Sequence, residues 1–225
     1  MNPKEMRLVV ASGPTREWID PVRFISNPSS GSTGWNLAVA GTPIFRQVVY
    51  ISGPVAEQYR AVPGAVCHGI ETTSDLRDAV LEHLADDTIL VMAAAPADFT
   101  PVQKSESKIK KEGREGVTLE LTRAPDVLLS VNEVADRYSN FTRVGFAAET
   151  DDMLENAAGK LKRKNLDFIC ANRVYRSRMG FGENKNTVVV LDAAGEQFSI
   201  GPAEKGQLAG DLLKYLTERL AAAPT

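Results

Sequence analysis

Several stretches of this chain hold residue types that could manage a phosphorylated ligand. Ser26-Asn27-Pro28-Ser29-Ser30-Gly31-Ser32-Thr33-Gly34 leads into a helical segment. Hydroxyls and free backbone N–H groups at a helix N-terminus form an anion site. A plain Ser/Thr cap on a loop would read the same way. Lys108-Ile109-Lys110-Lys111 lies in a charged stretch. Lysines there could close over a phosphate-rich ligand and neutralise charge developing in nucleotidyl transfer; the blander reading is a solvated loop. Lys160 and Lys164 in Lys160-Leu161-Lys162-Arg163-Lys164 are one helical turn apart and share a face. They either complement a helix dipole or reach a nucleotide. Asp98 follows Met92-Ala93-Ala94-Ala95-Pro96-Ala97. Small residues there admit a planar base close to the backbone, and the acid could bind a ribose hydroxyl or a base amine; a turn aspartate is the other reading.

Other chemistries find less support. A dinucleotide fingerprint needs a glycine turn running straight into a helix. Here Pro14 follows Gly13, and Gly31 and Gly34 come much later. No Walker A sequence is present. His68 and His83 show no metal-ligand spacing with each other or with the cysteines, and both are expected to be structural, with no metal ligands assigned. Trp18 and Trp35 flank the anion loop and are expected to anchor it by packing.

These residues need a frame. Short apolar runs alternate with helix-period segments, the pattern of a parallel sheet with crossover helices. Strands are expected at residues 7–11, 48–51, 65–70, 88–94, 143–147 and 168–171, with helices at about 33–40, 73–84, 151–164 and 205–220. A long loop is expected between the first strand and first helix. Residues 187–191 and 197–200, joined through Ala194-Gly195, read as an antiparallel hairpin. Residues 101–116 are highly charged without an apolar face, which makes a surface flap at about 100–117. The fold class is therefore α/β: a Rossmann-like, doubly wound, mostly parallel sheet with an antiparallel C-terminal hairpin and a charged flap. Such a sheet takes ligands at the carboxyl ends of its strands, where residues 12–32, 93–111 and 146–150 gather.

With 225 residues, one domain spanning 1–225 is expected. Apolar residues at 43% and charged residues at 24% exclude a disordered chain or a disulfide scaffold. A formal net charge of −3 gives no electrostatic case for nucleic acid. No apolar run approaches bilayer-spanning length, and the charged start is not a signal peptide. Cys67 and Cys170 lie in apolar runs and are expected to be buried, reduced thiols, which suits a cytoplasmic protein.

Taken in order, these stretches resemble the phosphopantothenate–cysteine ligase family, of the bacterial CTP-using type. The resemblance runs from Leu8 to the last helix. It is carried by Gly13-Pro14-Thr15-Arg16-Glu17, Ile19-Asp20-Pro21-Val22-Arg23-Phe24-Ile25-Ser26-Asn27 and Ser29-Ser30-Gly31. Ala93-Ala94-Ala95, Ala97-Asp98-Phe99, the Lys-x-Lys-Lys of Lys108 to Lys111, and Pro125-Asp126-Val127-Leu128 follow. Val144-Gly145-Phe146-Ala147-Ala148-Glu149-Thr150, residues 160–167, Ala171-Asn172 and Gly180-Phe181-Gly182 complete the series.

The resemblance implies a reaction and its roles. CTP activates the 4'-phosphopantothenate carboxylate as an acyl-cytidylate, and the L-cysteine amine then displaces CMP. Asn27 would stabilise the acyl-cytidylate and assist its conversion, and Lys108 would contact the nucleotide phosphates. The implied CTP site comprises Met92, Ala93, Ala94, Asp98, Lys108, Pro125, Asp126, Val127, Leu128, Phe146, Lys160 and Lys164, and Pro125-Asp126 also reads as a helix start whose backbone N–H groups suit a triphosphate. Ser29, Ser30 and Gly31 would hold substrate phosphate or the intermediate, and Mg²⁺ would bridge the triphosphate with few protein ligands. A homodimer, with the partner chain helping to close the substrate site, is implied as well. The chain departs from the family at Ser32-Thr33, where Lys-Met is common, at Pro96, and at Arg123-Ala124, where Lys-Asn is usual. Bifunctional relatives carry an N-terminal flavin-dependent decarboxylase. This chain reads as a stand-alone ligase, either naturally monofunctional or an excised domain. The rival readings are an ATP-using carboxylate–amine ligase, a NAD(P)-binding Rossmann-like protein, and a catalytically silent paralogue.

Overall fold

The computed structural model describes residues 2–111, 115–149, 152–173 and 185–222. In chain order they form β1 (Arg7–Ser12), β2 (Arg16–Asp20), β3 (Arg23–Ser26), α1 (Ser32–Gly41), β4 (Gln47–Ser52), β5 (Val66–Gly69), α2 (Thr73–Glu82) and β6 (Thr88–Met92). There follow β7 (Phe99–Pro101), β8 (Leu121–Arg123), α3 (Val127–Ala135), β9 (Thr142–Glu149), α4 (Met153–Arg163), β10 (Phe168–Arg173), β11 (Lys185–Asp192), β12 (Gln197–Glu204) and α5 (Lys205–Ala222).

The expected doubly wound sheet is present, eight strands in the order β12-β11-β10-β9-β6-β1-β4-β5. Strands β5, β4, β1, β6, β9 and β10 are parallel, and β11 and β12 close the far edge as an antiparallel hairpin. Both faces are covered, so the central strands are continuous apolar runs. On β1, Leu8 and Val10 join Leu37 of α1 and Leu212, Leu213 and Leu216 of α5. The alternate residues Val9 and Ala11 join Leu76 and Val80 of α2, Val131 of α3 and Leu161 of α4. From β1 the chain winds outward to β4 and β5, then returns to place β6 on the other side of β1. The carboxyl ends of β1 and β6 thus flank the switch point, where open α/β sheets bind ligands. Helix α2 starts where its capping box lies: Asp75 N–H donates to Thr72 Oγ1 at 3.1 Å and Thr72 N–H to Asp75 Oδ2 at 2.8 Å.

The segment expected as a long loop holds a separate hairpin, β2 paired with β3. Its strands are short and half exposed, so they carry no core-like apolar run; Trp18 meets Phe24 edge to face at 5.1 Å. The flap rises from an antiparallel pair, β7 with β8. Trp35 packs on Tyr59 at 5.6 Å and donates to Ala61 O at 2.9 Å, so it anchors α1 to the segment after β4. No helix among the described residues is long and apolar enough to cross a membrane.

One cysteine departs from expectation. Cys170 is buried in β10, but Cys67 is exposed, because β5 is the edge strand with a single neighbour. Burial pushes the Cys170 thiol far above its ordinary pKa and removes the reactive thiolate. Iodoacetamide should therefore alkylate Cys67 and spare Cys170 in the native protein, with both labelled in denaturant. Equal native labelling, read by peptide mass spectrometry, would contradict this packing.

Candidate active site at the carboxyl ends of β1, β6 and β9

The Ser/Gly loop delivers α1 onto the end of β1. Gly31 is its N-cap, with φ +75° and no side chain to cap the helix, and in the first turn of α1 Ser32 N–H donates to Ser30 Oγ at 3.4 Å. Ser12 Oγ donates to Gly31 O at 2.8 Å, and a Cβ on Gly34 would lie 2.4 Å from that same Oγ. Glycine thus brings the helix start against the strand end. Gly53 does the same for the turn after β4, where an added Cβ would stand 1.8 Å from Pro14 O. Gly53→Ala should cost about 3 kcal/mol or more, because backbone has to move. An unchanged denaturation midpoint would show that the β1 turn yields freely.

Asn27 ties this loop to the end of β6. Its side-chain amide donates to Pro96 O at 2.8 Å and Ala95 O at 3.3 Å. The β6 end is fixed independently: Ala93 N–H donates to Ala11 O at 3.0 Å and Ala95 N–H to Gly13 O at 2.9 Å. Buried Thr15 accepts from Ala97 N–H at 2.8 Å, and buried Glu17 accepts from Thr73 N–H at 2.8 Å. Thr15 and Glu17 therefore brace the site from within the Gly13–Glu17 motif. Met92 is buried, Ala93 and Ala94 are partly exposed, and Asp98 is exposed beside them. Asp98 O accepts from Ala124 N–H at 2.9 Å, which sets α3 next to the end of β6.

A second group forms at the start of α3 and the end of β9. Asp126 is the N-cap, its Oδ1 accepting from Leu129 N–H at 3.2 Å, which bears out the helix start read at Pro125-Asp126. Lys164 pairs with the other oxygen of Asp126, and Lys160 Nζ donates to Phe146 O at 2.7 Å. Val127 and Leu128 are buried in the first turn of α3. Lys164 thus leans toward another helix's positive end while Lys160 is held on β9, and an anion that met Lys164 and the first turn of α3 would be stabilised by both. Lys108 is exposed on the flap.

Lys205 was not singled out by the sequence. It opens α5, yet its Nζ donates to Ser32 Oγ at 2.9 Å, which sets a cation at the N-terminus of α1. A helix N-terminus repels a cation unless an anion joins them. Lys205 lies 173 residues from Ser32, so local spacing gives no signal for it. Thr150 and Gly180-Phe181-Gly182 lie outside the described residues.

Two features lie apart from these groups. A hollow of about 550 Å³ between β5 and α2 is lined by His68, Glu71, Asp75, Asp78 and Glu82 and contains none of the site residues above. The fold also brings together what spacing did not: His68 and His83 meet edge to face at 5.6 Å, and with Glu82 they offer donor atoms within 4.8 Å. Burial lowers the His83 pKa, with Glu82 opposing and His68 and Arg7 assisting. Arg7 donates to His83 O at 3.1 Å, and its positive charge opposes a bound cation beside the pair.

Comparison with known proteins follows the same outline. Residues 4–220 match the sequence model of the family described as DNA/pantothenate metabolism flavoprotein C-terminal domain. The coenzyme A biosynthesis bifunctional protein CoaBC of Bacillus subtilis is 38% identical over 93% of this chain and 50% of its own length. That of Vibrio cholerae is 37% identical over 95% of this chain and 53% of its own. The chain thus spans about half the length of these curated relatives. A crystal structure of the C-terminal domain of a CoaBC protein superposes with a TM-score of 0.78 at 29% identity, covering 99% of this chain and 100% of that one.

Proposed function

The chain belongs to the DNA/pantothenate metabolism flavoprotein C-terminal domain family, and on that premise we propose that it ligates 4'-phosphopantothenate to L-cysteine at the expense of CTP. The observation that carries the proposal is the Asn27 carboxamide, which spans from the serine-rich loop at the start of α1 to the end of β6. A group held between a phosphate-binding loop and a small-residue strand end is placed to meet an acyl–phosphate junction.

The proposed reaction has two displacements. A carboxylate oxygen of 4'-phosphopantothenate attacks the α-phosphorus of CTP, and the P–O bond to pyrophosphate breaks. The cysteine amine then attacks the acyl carbon, the bond to CMP breaks, and the nitrogen loses a proton to leave an amide. The nucleotide base lies along Met92, Ala93 and Ala94, with Asp98 beside it. The triphosphate runs to the first turn of α3 at Pro125, Asp126, Val127 and Leu128, near Phe146, Lys160 and Lys164. The Ser29, Ser30 and Gly31 loop, with Lys205, takes the substrate phosphate. Both steps gather negative charge that N–H groups and lysines already in position stabilise. Mg²⁺ fits as part of the nucleotide substrate. The donors here are mainly N–H groups and ammonium, and Asp126 is already paired with Lys164, so the ion would take its ligands from phosphate and water and would offset charge.

The homodimer is part of the proposal. Val22 and Phe24 on the hairpin and Phe99 and Leu121 on the flap stalk are large apolar side chains exposed by 40% or more. Such side chains suit a protein interface better than water. A monomer mass in sedimentation at micromolar concentration would contradict it.

The activity is tested by incubating the protein with 4'-phosphopantothenate, L-cysteine, Mg²⁺ and CTP, and seeking the phosphopantothenoylcysteine amide by mass spectrometry. Formation of that amide with CTP supports the proposal. Its absence with CTP but presence with ATP would transfer the reading to an ATP-using ligase.

A further inference from the structure

The charged flap is tied to the β2–β3 hairpin. Ser105 N–H donates to Ile19 O at 2.9 Å, and Ile109 N–H donates to Oδ2 of Asp20 at 3.1 Å. Ile109 O accepts from Nη1 and Nη2 of Arg23 at 3.2 and 3.3 Å. Both polar main-chain groups of Ile109 are therefore held, one by each member of a carboxylate–guanidinium pair.

Asp20 is an unusual residue for the turn end of an exposed hairpin, being only 2% exposed. A buried carboxylate is costly unless donors surround it. Asp20 has Val22 N–H at 2.9 Å and Arg23 Nη1 at 2.9 Å from its own turn, and Ile109 N–H from 89 residues away. Burial raises its pKa, but these donors outweigh burial and hold the carboxyl below its ordinary value, so it is ionised at neutral pH.

We propose that Asp20 is a positioning residue for Lys108: with Arg23 it clamps the Ile109 peptide groups and so fixes the main chain that presents the neighbouring lysine to the site. The inference rests on the proposed function, with Lys108 as the flap lysine that contacts the nucleotide phosphates. It adds a cause to it. A lysine on a wandering loop pays ordering entropy in each catalytic cycle, whereas a clamped one has largely paid it on folding.

Asp20→Asn preserves volume but replaces one acceptor oxygen with a donor amide, so it cannot satisfy all of its donors. The first readout is independent of catalysis. Trypsin cleavage after Lys108 and Lys110 in the native protein should become about tenfold faster, the scale expected for losing a charge-assisted hydrogen bond. The melting temperature is followed in parallel to show that the rest of the fold persists. An unchanged cleavage rate overturns the clamp, whatever the protein catalyses. Should Asp20→Asn fail to fold, Ile109→Pro removes the donated N–H from the flap side and should expose Lys110 to the same degree.

The second readout is pyrophosphate release in a double-mutant cycle. Asp20→Asn should slow release about tenfold with Lys108 present and hardly at all in a Lys108→Gln background. Losses that multiply in full would mean that Asp20 does not act through Lys108, and would overturn its positioning role. If wild-type protein released no pyrophosphate with 4'-phosphopantothenate and CTP, the proposed function would fail while the trypsin result still decided the clamp.

Discussion

Asn27→Asp is expected to lower turnover about 10²- to 10³-fold, the usual cost of losing a positioned donor at a charged intermediate, while CTP affinity changes only a few-fold. The geometry explains the split. The Asn27 amide donates to Ala95 O and Pro96 O. An aspartate in its place faces those carbonyls with a carboxylate and donates to neither. The nucleotide side of the site does not depend on that link, since β6 is held to the β1 end by Ala93 and Ala95 main-chain bonds. The variant should thus still form acyl-cytidylate but convert it poorly. Acid quenching followed by mass spectrometry should then find the intermediate at a level comparable to the enzyme. Wild-type turnover in the variant would remove Asn27 from the mechanism.

Lys108→Gln should slow the first step itself, by about 10²-fold. Glutamine keeps a donor at similar reach but carries no charge to offset the triphosphate. Lys108 is exposed, so stability should stay within about 0.5 kcal/mol of wild type. The step affected distinguishes the two variants: rapid-quench measurement should show slow pyrophosphate formation here, with no stored intermediate. An unchanged first-step rate would return the flap to a solvated loop.

The inner parallel strands were legible because they carry short apolar runs buried on both faces, and β1 and β6 read directly as Leu8-Val9-Val10 and Ile89-Leu90-Val91. The start of α3 was legible because its N-cap, Asp126, bonds three residues along the chain. The β2–β3 hairpin was not, since its stability comes from pairing, from Trp18 on Phe24 and from Arg16 4.6 Å over the Phe24 ring. Cys67 misled because an apolar neighbourhood in sequence says nothing about which strand becomes an edge. The contacts of Lys205 with Ser32 and of Asp20 with Ile109 join residues remote in sequence. Their partners are set by the strand order, which only the folded chain displays.

The central claim is that the carboxylate is activated by CTP before cysteine enters. Pyrophosphate release with 4'-phosphopantothenate and Mg²⁺, measured with CTP and with ATP and with cysteine omitted or added, tests it directly. A burst of about one pyrophosphate per site is expected with CTP alone, converted to steady turnover by cysteine, with little release with ATP. No release until cysteine is present would contradict activation as a separate first step, and no release with either nucleotide would contradict the ligase itself.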